Sequence, residues 1–472
     1  MISFLLSLVA LVVGYMVYGR VAERVFGPDD RQTPALKQAD GIDYIVLPGW
    51  RIFMIQFLNI AGTGPIFGAI MGMWFGPAAY LWIVLGCIFG GAVHDYVSGM
   101  MSLRHGGQGL PELTGRYLGT SMRRALVVFT MMMMMLVGAF FVYCPAIILS
   151  GIWGGKMMWV FIIFAYYVAT TMMPVDKVIG RIYPLFAFAL LFMAIALMGV
   201  LLIKWPSLPE VWDAGTVENL AKQPVFPCLF ITIACGAVSG FHATQSPLMA
   251  RCLRSEKSGR PVFYGAMITE GIVALVWATV SSWFFYEGGA QEVGSSLSAQ
   301  APEVVTAVSS GWLGIVGGVL AILGVVAAPI TSGDTAFRSA RLIIADFLHL
   351  SQRPVRNRLL VCIPLFLAAS GLLWFNIADE NGFNIIWNYF GWSNQTLAVF
   401  MLWTATVFLA RERKAYFITL IPALFMTVVC TTFLCCSSIA FGLPLSVSLG
   451  FGGVAFVLTA GWFFVWKHKT LR

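Results

Sequence analysis

Charge is what this 472-residue chain has least of. Asp, Glu, Lys and Arg make up 11% of it, against roughly a quarter in an ordinary soluble domain. That scarcity excludes a water-soluble globular fold. No H-E-x-x-H motif occurs among the five histidines, which removes the usual signature of a helix-borne zinc hydrolase. The nine cysteines contain no C-x-x-C and only one adjacent pair, Cys435-Cys436, so neither a disulfide framework nor a zinc knuckle is assigned. No A-x-A site follows the first apolar run, residues 2–19. Its arginines, Arg20 and Arg24, come after it rather than before, an order that opposes a cleaved signal peptide and favours an anchor with its N-terminus outside.

What fills the chain instead is apolar: 59% hydrophobic and 14% aromatic residues. Apolar segments fall at about residues 2–19, 50–74, 77–101, 122–150, 157–173, 183–203, 226–250, 261–286, 311–345, 359–376, 383–409, 416–436 and 441–466, an all-α integral membrane protein of about thirteen transmembrane helices. With the N-terminus outside, all of the 29 lysines and arginines except Lys156, Lys204 and Lys222 fall on the cytoplasmic side, together with the C-terminal tail. The net charge of +8 therefore reports orientation in a lipid bilayer, and no nucleic-acid partner is implied. The opposite loops carry acids, among them Glu210, Asp213, Glu218, Glu287, Glu292, Asp379 and Glu380.

Two segments break the rule that a span is filled with Leu, Ile and Val. The second carries Asn59-Ile-Ala-Gly-Thr-Gly-Pro65, and the seventh carries Cys235-Gly-Ala-Val-Ser-Gly-Phe-His-Ala-Thr-Gln-Ser-Pro247. Backbone freed from its helix costs several kcal/mol per unpaired group in hydrocarbon, so such interruptions belong where the backbone lines an internal cavity. Pro65, and Pro247 behind a Ser246 N-cap, would each open a second half-helix. The breaks lie five spans apart and so enter from opposite sides. This spacing predicts a 5+5 inverted repeat, repeat one over about 50–203 and repeat two over about 226–409, in one transmembrane domain with one accessory helix before (2–19) and two after (416–436, 441–466).

Substrate candidates follow from the breaks: Asn59, Gly62, Thr63 and Gly64 from the first, and Ser239, Gly240, His242, Thr244, Gln245 and Ser246 from the second. Asn394 and Gln395 join them from an aromatic and amide cluster, Tyr389-Phe-Gly-Trp-Ser-Asn-Gln-Thr396. Ion-coupling candidates are the ionisable and hydroxyl residues inside spans: His94, Asp95, Glu270, Thr331, Ser332, Asp334 and Thr335. Each has a structural alternative. His94 and Asp95 would meet water or a loop arginine near the cytoplasmic end, Asp334 would pair with Arg338 four residues on, and His242 would be a neutral, hydrogen-bonded core histidine. A channel and an intramembrane metalloenzyme are weaker readings. A channel gains nothing from two inverted breaks, and nothing in the spacing fixes a metal geometry.

The stretches Gly91-Ala-Val-His-Asp-Tyr96, Gly106-Gly-Gln-Gly-Leu-Pro-Glu112, Ser239-Gly-Phe-His-Ala-Thr-Gln-Ser-Pro247, Thr331-Ser-Gly-Asp-Thr-Ala-Phe-Arg-Ser-Ala-Arg341 and Phe390-Gly-Trp-Ser-Asn-Gln395 resemble, in order, the carbon starvation protein A family. The resemblance implies membership of the amino-acid, polyamine and organocation superfamily and a leucine-transporter-type fold. It further implies uptake of pyruvate or short peptides by bacteria, with no resident cofactor and a proton or sodium ion as the coupling ion. Superfamily members that use sodium hold it between carbonyls of the first broken helix and hydroxyls of the helix that corresponds here to the ninth span, where Thr331, Ser332 and Thr335 stand. A sodium-coupled amino-acid transporter is the alternative. The expected protein is an ion-coupled secondary importer, not an enzyme, in the bacterial inner membrane.

Overall fold

The computed structural model describes every residue except 42, 174, 298, 353, 379–381 and 472, and the side chains of all others except 175–182, 316, 317, 320, 376 and 382–386. The acidic pair expected in an outer loop, Asp379 and Glu380, lies outside the described residues. The architecture is all-helical. In chain order the helices that build it are α1 (Ile2–Phe26), α2 (Gly49–Ile60), α3 (Gly64–Phe75), α4 (Ala78–Arg104), α5 (Leu110–Leu118), α6 (Thr120–Ser150), α7 (Lys156–Met172), α8 (Val175–Lys204), α9 (Val225–Thr232), α10 (His242–Ala250), α11 (Glu256–Tyr286), α12 (Ala301–Phe347), α13 (Val355–Ala378), α14 (Gly382–Arg411), α15 (Phe417–Cys436) and α16 (Leu445–Thr470).

Among the described residues nine helices are long and apolar enough to cross a membrane, or ten when α2 and α3, bent by 54° at their junction, count as one span. The other expected spans fail that test for local reasons. Helix α7 has only 17 residues, the seventh segment is divided into α9 and α10, each too short to cross alone, and the ninth segment, in α12, is kinked at Gly314. The α2/α3 break falls where expected, with Pro65 in the first turn of the resumed helix, where its missing N–H removes no bond. The second break ends earlier than the sequence suggested. Helix α10 resumes at His242, so Pro247 lies inside it and Ser246 is no N-cap; its hydroxyl donates back to the His242 carbonyl at 3.0 Å. Helix α12 is 47 residues long and kinked at Gly314, whose φ of 62° is not helical; beyond residue 328 it continues to Phe347, as the unpunctuated sequence implied.

Hydrogen bonds between loops divide the molecule into two ends. At one end the Arg104 guanidinium donates to Glu256 at 2.9 and 3.0 Å and to the Gly27 carbonyl at 2.6 Å, Lys414 donates to the Phe26 carbonyl, and Leu47 N–H donates to the Cys252 carbonyl at 3.2 Å. At the other end Ser3 N–H donates to Glu210 at 2.6 Å, Ala221 N–H to the Trp74 carbonyl at 3.1 Å, and Tyr286 Oη to the Glu218 carbonyl at 3.0 Å. The start of α2 thus meets the end of α10, and the end of α3 meets the segment before α9, so the two broken helices run antiparallel. Loops assigned to one side by their basic residues lie together.

Ser207 is exposed at the Glu210 end and Lys257 at the Glu256 end, while the native cysteines are buried or, for Cys436, half-buried. Ser207→Cys and Lys257→Cys in sealed vesicles are expected to react with an impermeant maleimide from opposite faces. Labelling of both from one face would contradict the two-ended arrangement.

Candidate functional site

The two breaks meet at the centre of the bundle. A Cβ placed on Gly64 would lie 2.1 Å from the Cβ of Cys235, and one on Gly68 would lie 2.9 Å from the Thr232 carbonyl oxygen. Glycine is required at these positions because one interrupted backbone lies against the other. The groups freed by the second break are bonded by neighbouring side chains. The Trp82 indole donates to the Ile233 carbonyl at 2.9 Å and the Gln395 amide to the Phe230 carbonyl at 2.9 Å. Asn394 accepts Phe241 N–H at 2.7 Å and the Ser239 hydroxyl at 3.1 Å on its side-chain oxygen, while its main-chain carbonyl accepts Gly240 N–H at 3.2 Å.

Ser239, Asn394 and the Gln395 amide nitrogen thus bond at the second break, where hydrocarbon supplies no other partner, while Gln395 Oε1 is left unpaired. Gly240 faces α14, not a ligand: an added Cβ would come within 2.3 Å of both the Asn394 oxygen and the Ala398 nitrogen. The N–H groups at the start of α10 are accordingly taken up within the protein. Thr244 Oγ1 donates to the Phe241 carbonyl at 2.6 Å, and Ala243 and Thr244 N–H to the carbonyls of Gly240 and Phe241.

The first break is different. Asn59 Oδ1 and Nδ2, Thr63 Oγ1, Gln56 Oε1 and Gln245 Oε1 are buried with no hydrogen-bond partner among the described residues. Gln56 and Asn59 lie one turn apart on α2, and Gln56 Nε2 reaches Ser246 Oγ of α10 at 3.4 Å. Buried polar atoms are paired in nine cases out of ten or more, so a concentration of unpaired ones marks a place where something else binds. Gln56 was not anticipated, because a lone glutamine near the start of an apolar run carries no signal until the fold sets it opposite Ser246. Phe141, Phe241 and Phe390 pack around the same centre, with Phe141 6.2 Å from each of the other two rings. A Cβ on Gly62 would meet both Phe141 and Ser332 Oγ, at 3.0 and 3.2 Å.

Beside the breaks the ionisable residues collect into two groups. In the first, Asp95 Oδ1 is 2.8 Å from His94 Nδ1 and Asp95 Oδ2 is 2.8 Å from His242 Nδ1, while His242 Nε2 faces Glu270 Oε2 at 3.4 Å. All four are fully buried. His94 and Asp95 therefore do not meet water or a loop arginine; the path of α4 brings them against the second break. In the second group, Asp334 accepts the Thr170 hydroxyl at 2.7 Å and the Tyr183 hydroxyl at 2.5 Å. The alternative partner for it, Arg338, instead donates to the Met173 and Thr170 carbonyls at 2.8 and 2.7 Å, at the end of α7. Ser332 Oγ donates to the Asn59 carbonyl of the first break at 2.9 Å, but Thr331 and Thr335 turn to carbonyls of their own helix, Ala328 at 2.9 Å and Thr331 and Ser332 at 3.1 Å.

A route leads in from the Glu256 end. A polar cavity of about 670 Å³ is lined by Tyr44, His105, Glu112, Arg123, Arg251 and Asp346 among others. A smaller one of about 20 Å³ shares Arg251 and Asp346 with it and reaches Thr244 and Ser339. Between them Arg251 Nη2 stands 3.7 Å from Asp346 and Nε donates to the Gly107 carbonyl at 2.9 Å. Burial raises the Glu112 carboxyl above the ordinary carboxylate range, nearby Asp346 adds to that, and Arg123, 3.3 Å away, offsets it only in part.

Comparison with known proteins gives a consistent picture. The family described as carbon starvation protein CstA matches residues 1–151, 145–314 and 289–433. An uncharacterized membrane protein of Haemophilus influenzae is 42% identical over 60% of this chain and 91% of its own. A protein of Bacillus subtilis named peptide transporter CstA is 27% identical over 89% of this chain and 88% of its own, and its Escherichia coli namesake is 25% identical over 90% and 79%. Among solved structures, the Eremococcus coleocola manganese transporter superposes with a TM-score of 0.59 over 91% of this chain and 99% of its own, at 11% identity, a likeness of fold alone.

Gly240→Ala is expected to destabilise the folded protein by about 1–3 kcal/mol, because the new methyl meets main-chain atoms that side-chain rotation cannot move away. Thermal melting of the purified variant checks this. A melting curve unchanged from the parent would show that the close approach to α14 is not enforced.

Proposed function

Because the chain belongs to the carbon starvation protein CstA family, we propose that it is a secondary importer that carries a small carboxylate, pyruvate or a short peptide, across the bacterial inner membrane by alternating access. The observation that carries this reading is the set of unpaired polar atoms on Gln56, Asn59, Thr63 and Gln245, sealed between two antiparallel helix breaks. Such a site suits a small ligand rich in hydrogen-bonding groups. The first break, whose polar atoms stand open, is the side on which a carboxylate would lie, at the positive end of the half-helix α3. Names of the relatives from Bacillus subtilis and Escherichia coli point to peptides as cargo and to transport rather than catalysis.

The finer architecture is part of the proposal. Counting α2 with α3 and α9 with α10 as single broken spans, and leaving out the nine-residue α5, gives thirteen, and the antiparallel course of the breaks is what a 5+5 inverted repeat requires. The end bearing Arg104, Arg251 and Lys414 is assigned to the cytoplasm by its excess of basic residues, which leaves the N-terminus outside. In that orientation the large cavity opens to the cytoplasm, and Arg251, Asp346 and Gly107 close the last few ångströms before Thr244.

Coupling to protons fits the observed hydrogen bonding better than coupling to sodium. A sodium ion at Asn59, Thr331, Ser332 and Thr335 needs oxygen lone pairs aimed at one point. Here the Ser332 hydroxyl donates to the very carbonyl that would hold the ion, and both threonine hydroxyls are engaged in their own helix. Asp334, by contrast, is a buried carboxylate that accepts from two hydroxyls, while Arg338 four residues on donates to main-chain carbonyls instead. Sodium-coupled amino-acid transport is the second reading.

Uptake of labelled pyruvate, dipeptides and single amino acids into proteoliposomes, with proton and sodium gradients imposed separately, tests both. Accumulation of pyruvate or dipeptide driven by protons alone is expected; accumulation of none of them under either gradient would overturn the assignment. Asp334→Asn keeps the hydroxyl contacts but cannot change charge. It is expected to abolish proton-driven accumulation while retaining exchange of substrate across the membrane, and full accumulation by this variant would remove Asp334 from coupling.

A further inference from the structure

Cys235, His242 and Glu270 each offer one donor atom, and the three lie within 4.8 Å of one another, fully buried. They come from the two flanks of the second break and from the middle of α11, so no spacing in the sequence announces them. The geometry points to a site for a zinc-class divalent cation bound by Cys235 Sγ, His242 Nε2 and a Glu270 carboxylate oxygen, with one coordination position left open.

Several features independent of mere proximity support this. His242 Nε2 and Glu270 Oε2 face each other at 3.4 Å without a well-formed hydrogen bond, and both are buried. A cation between them would satisfy the buried carboxylate and the imidazole nitrogen together. The surroundings are those of a metal ligand set. Asp95 sits 2.8 Å from His242 Nδ1, so a cation at Nε2 would find the ring oriented by a carboxylate on its far side, and His94 steadies the other Asp95 oxygen. Carboxylate-to-histidine support of this kind is the usual outer shell of a histidine ligand. The Asn394 amide donates towards the Cys235 sulfur at 3.6 Å, a donor suited to a thiolate.

The distances also fit. Zinc bonds of about 2.0–2.3 Å at tetrahedral angles place ligand atoms roughly 3.3–3.7 Å apart. His242 Nε2 and Glu270 Oε2 are already 3.4 Å apart, and side-chain rotation closes the remaining gap. Binding releases the Cys235 thiol proton and neutralises the excess acid of a cluster that holds two carboxylates. The bound ion would tie both flanks of the second break to α11. This inference does not depend on which substrate is carried.

The test uses untagged, chelator-treated full-length protein in lipid nanodiscs titrated with Co²⁺, followed by displacement with Zn²⁺. One Co²⁺ per chain with a thiolate-to-cobalt charge-transfer band in the near ultraviolet, lost on adding Zn²⁺, is expected. Cys235→Ser should remove the band, whereas Cys430→Ser, at a buried cysteine elsewhere, should keep it. Asp95→Asn, which positions His242 without touching the ion, should retain the band and weaken binding about 10–100-fold. Thermal melting of each variant separates loss of ligand from loss of fold. Absence of a band in the folded parent, or its persistence in folded Cys235→Ser, would overturn the proposal.

Discussion

A main chain interrupted inside an apolar bundle must find hydrogen bonds from side chains, because hydrocarbon offers none. This constraint governs the centre of the molecule. Trp82, Gln395 and above all Asn394 take up groups released by the second break, and Tyr167 on α7 donates to the Phe141 and Pro329 carbonyls on α6 and α12. Each such bond replaces one rung of a helix with a contact between helices, so the breaks also fasten the bundle across its width. The same demand explains why glycines at 64, 68 and 240 face backbone or the root of a side chain: only without a Cβ do the interrupted chains come close enough to be bonded.

The two breaks have been resolved differently, and that asymmetry is the basis of the functional reading. The second has several of its freed groups bonded by Trp82 of α4 and by Asn394 and Gln395 of α14, and carries the acid–imidazole cluster on its flank. The first keeps Asn59 and Thr63 unpaired and lends its Asn59 carbonyl to Ser332 of α12. A site that binds a ligand and then releases it needs groups that are costly to leave bare and cheap to re-pair, and unpaired amides and hydroxyls meet that description better than a fully bonded backbone. Movement of α12 against the first break would change Ser332, Gly62 and Phe141 together, since all three touch there. Asp334, two residues further along α12, points to another side of the helix, towards Thr170 of α7 and Tyr183 of α8.

Class and the positions of both interruptions were legible from composition and from glycine, proline and amide residues in runs that should have been Leu and Val, and the placement of lysines and arginines told which loops gather at one end. These are properties of a segment and its solvent, and a bilayer is so strict a solvent that local chemistry settles them. That the ionisable residues inside spans would be buried was legible for the same reason, since lipid leaves such a group nowhere else to go.

What each group does was decided only by the tertiary arrangement. Asn394 and Gln395 looked like ligands for a substrate and proved to be partners of a backbone some 150 positions earlier in the chain. Pro247 marked no helix start, because Asn394 had already satisfied the N–H groups upstream. Asp334 and Arg338, four residues apart, did not pair, since hydroxyls of α7 and α8 reached the acid first and the end of α7 claimed the arginine. His94, Asp95, His242 and Glu270 came from three separate stretches of sequence into one cluster. Local sequence determines whether a residue can remain in lipid; which partner it finds depends on how distant helices pack, and that information is spread over the whole chain.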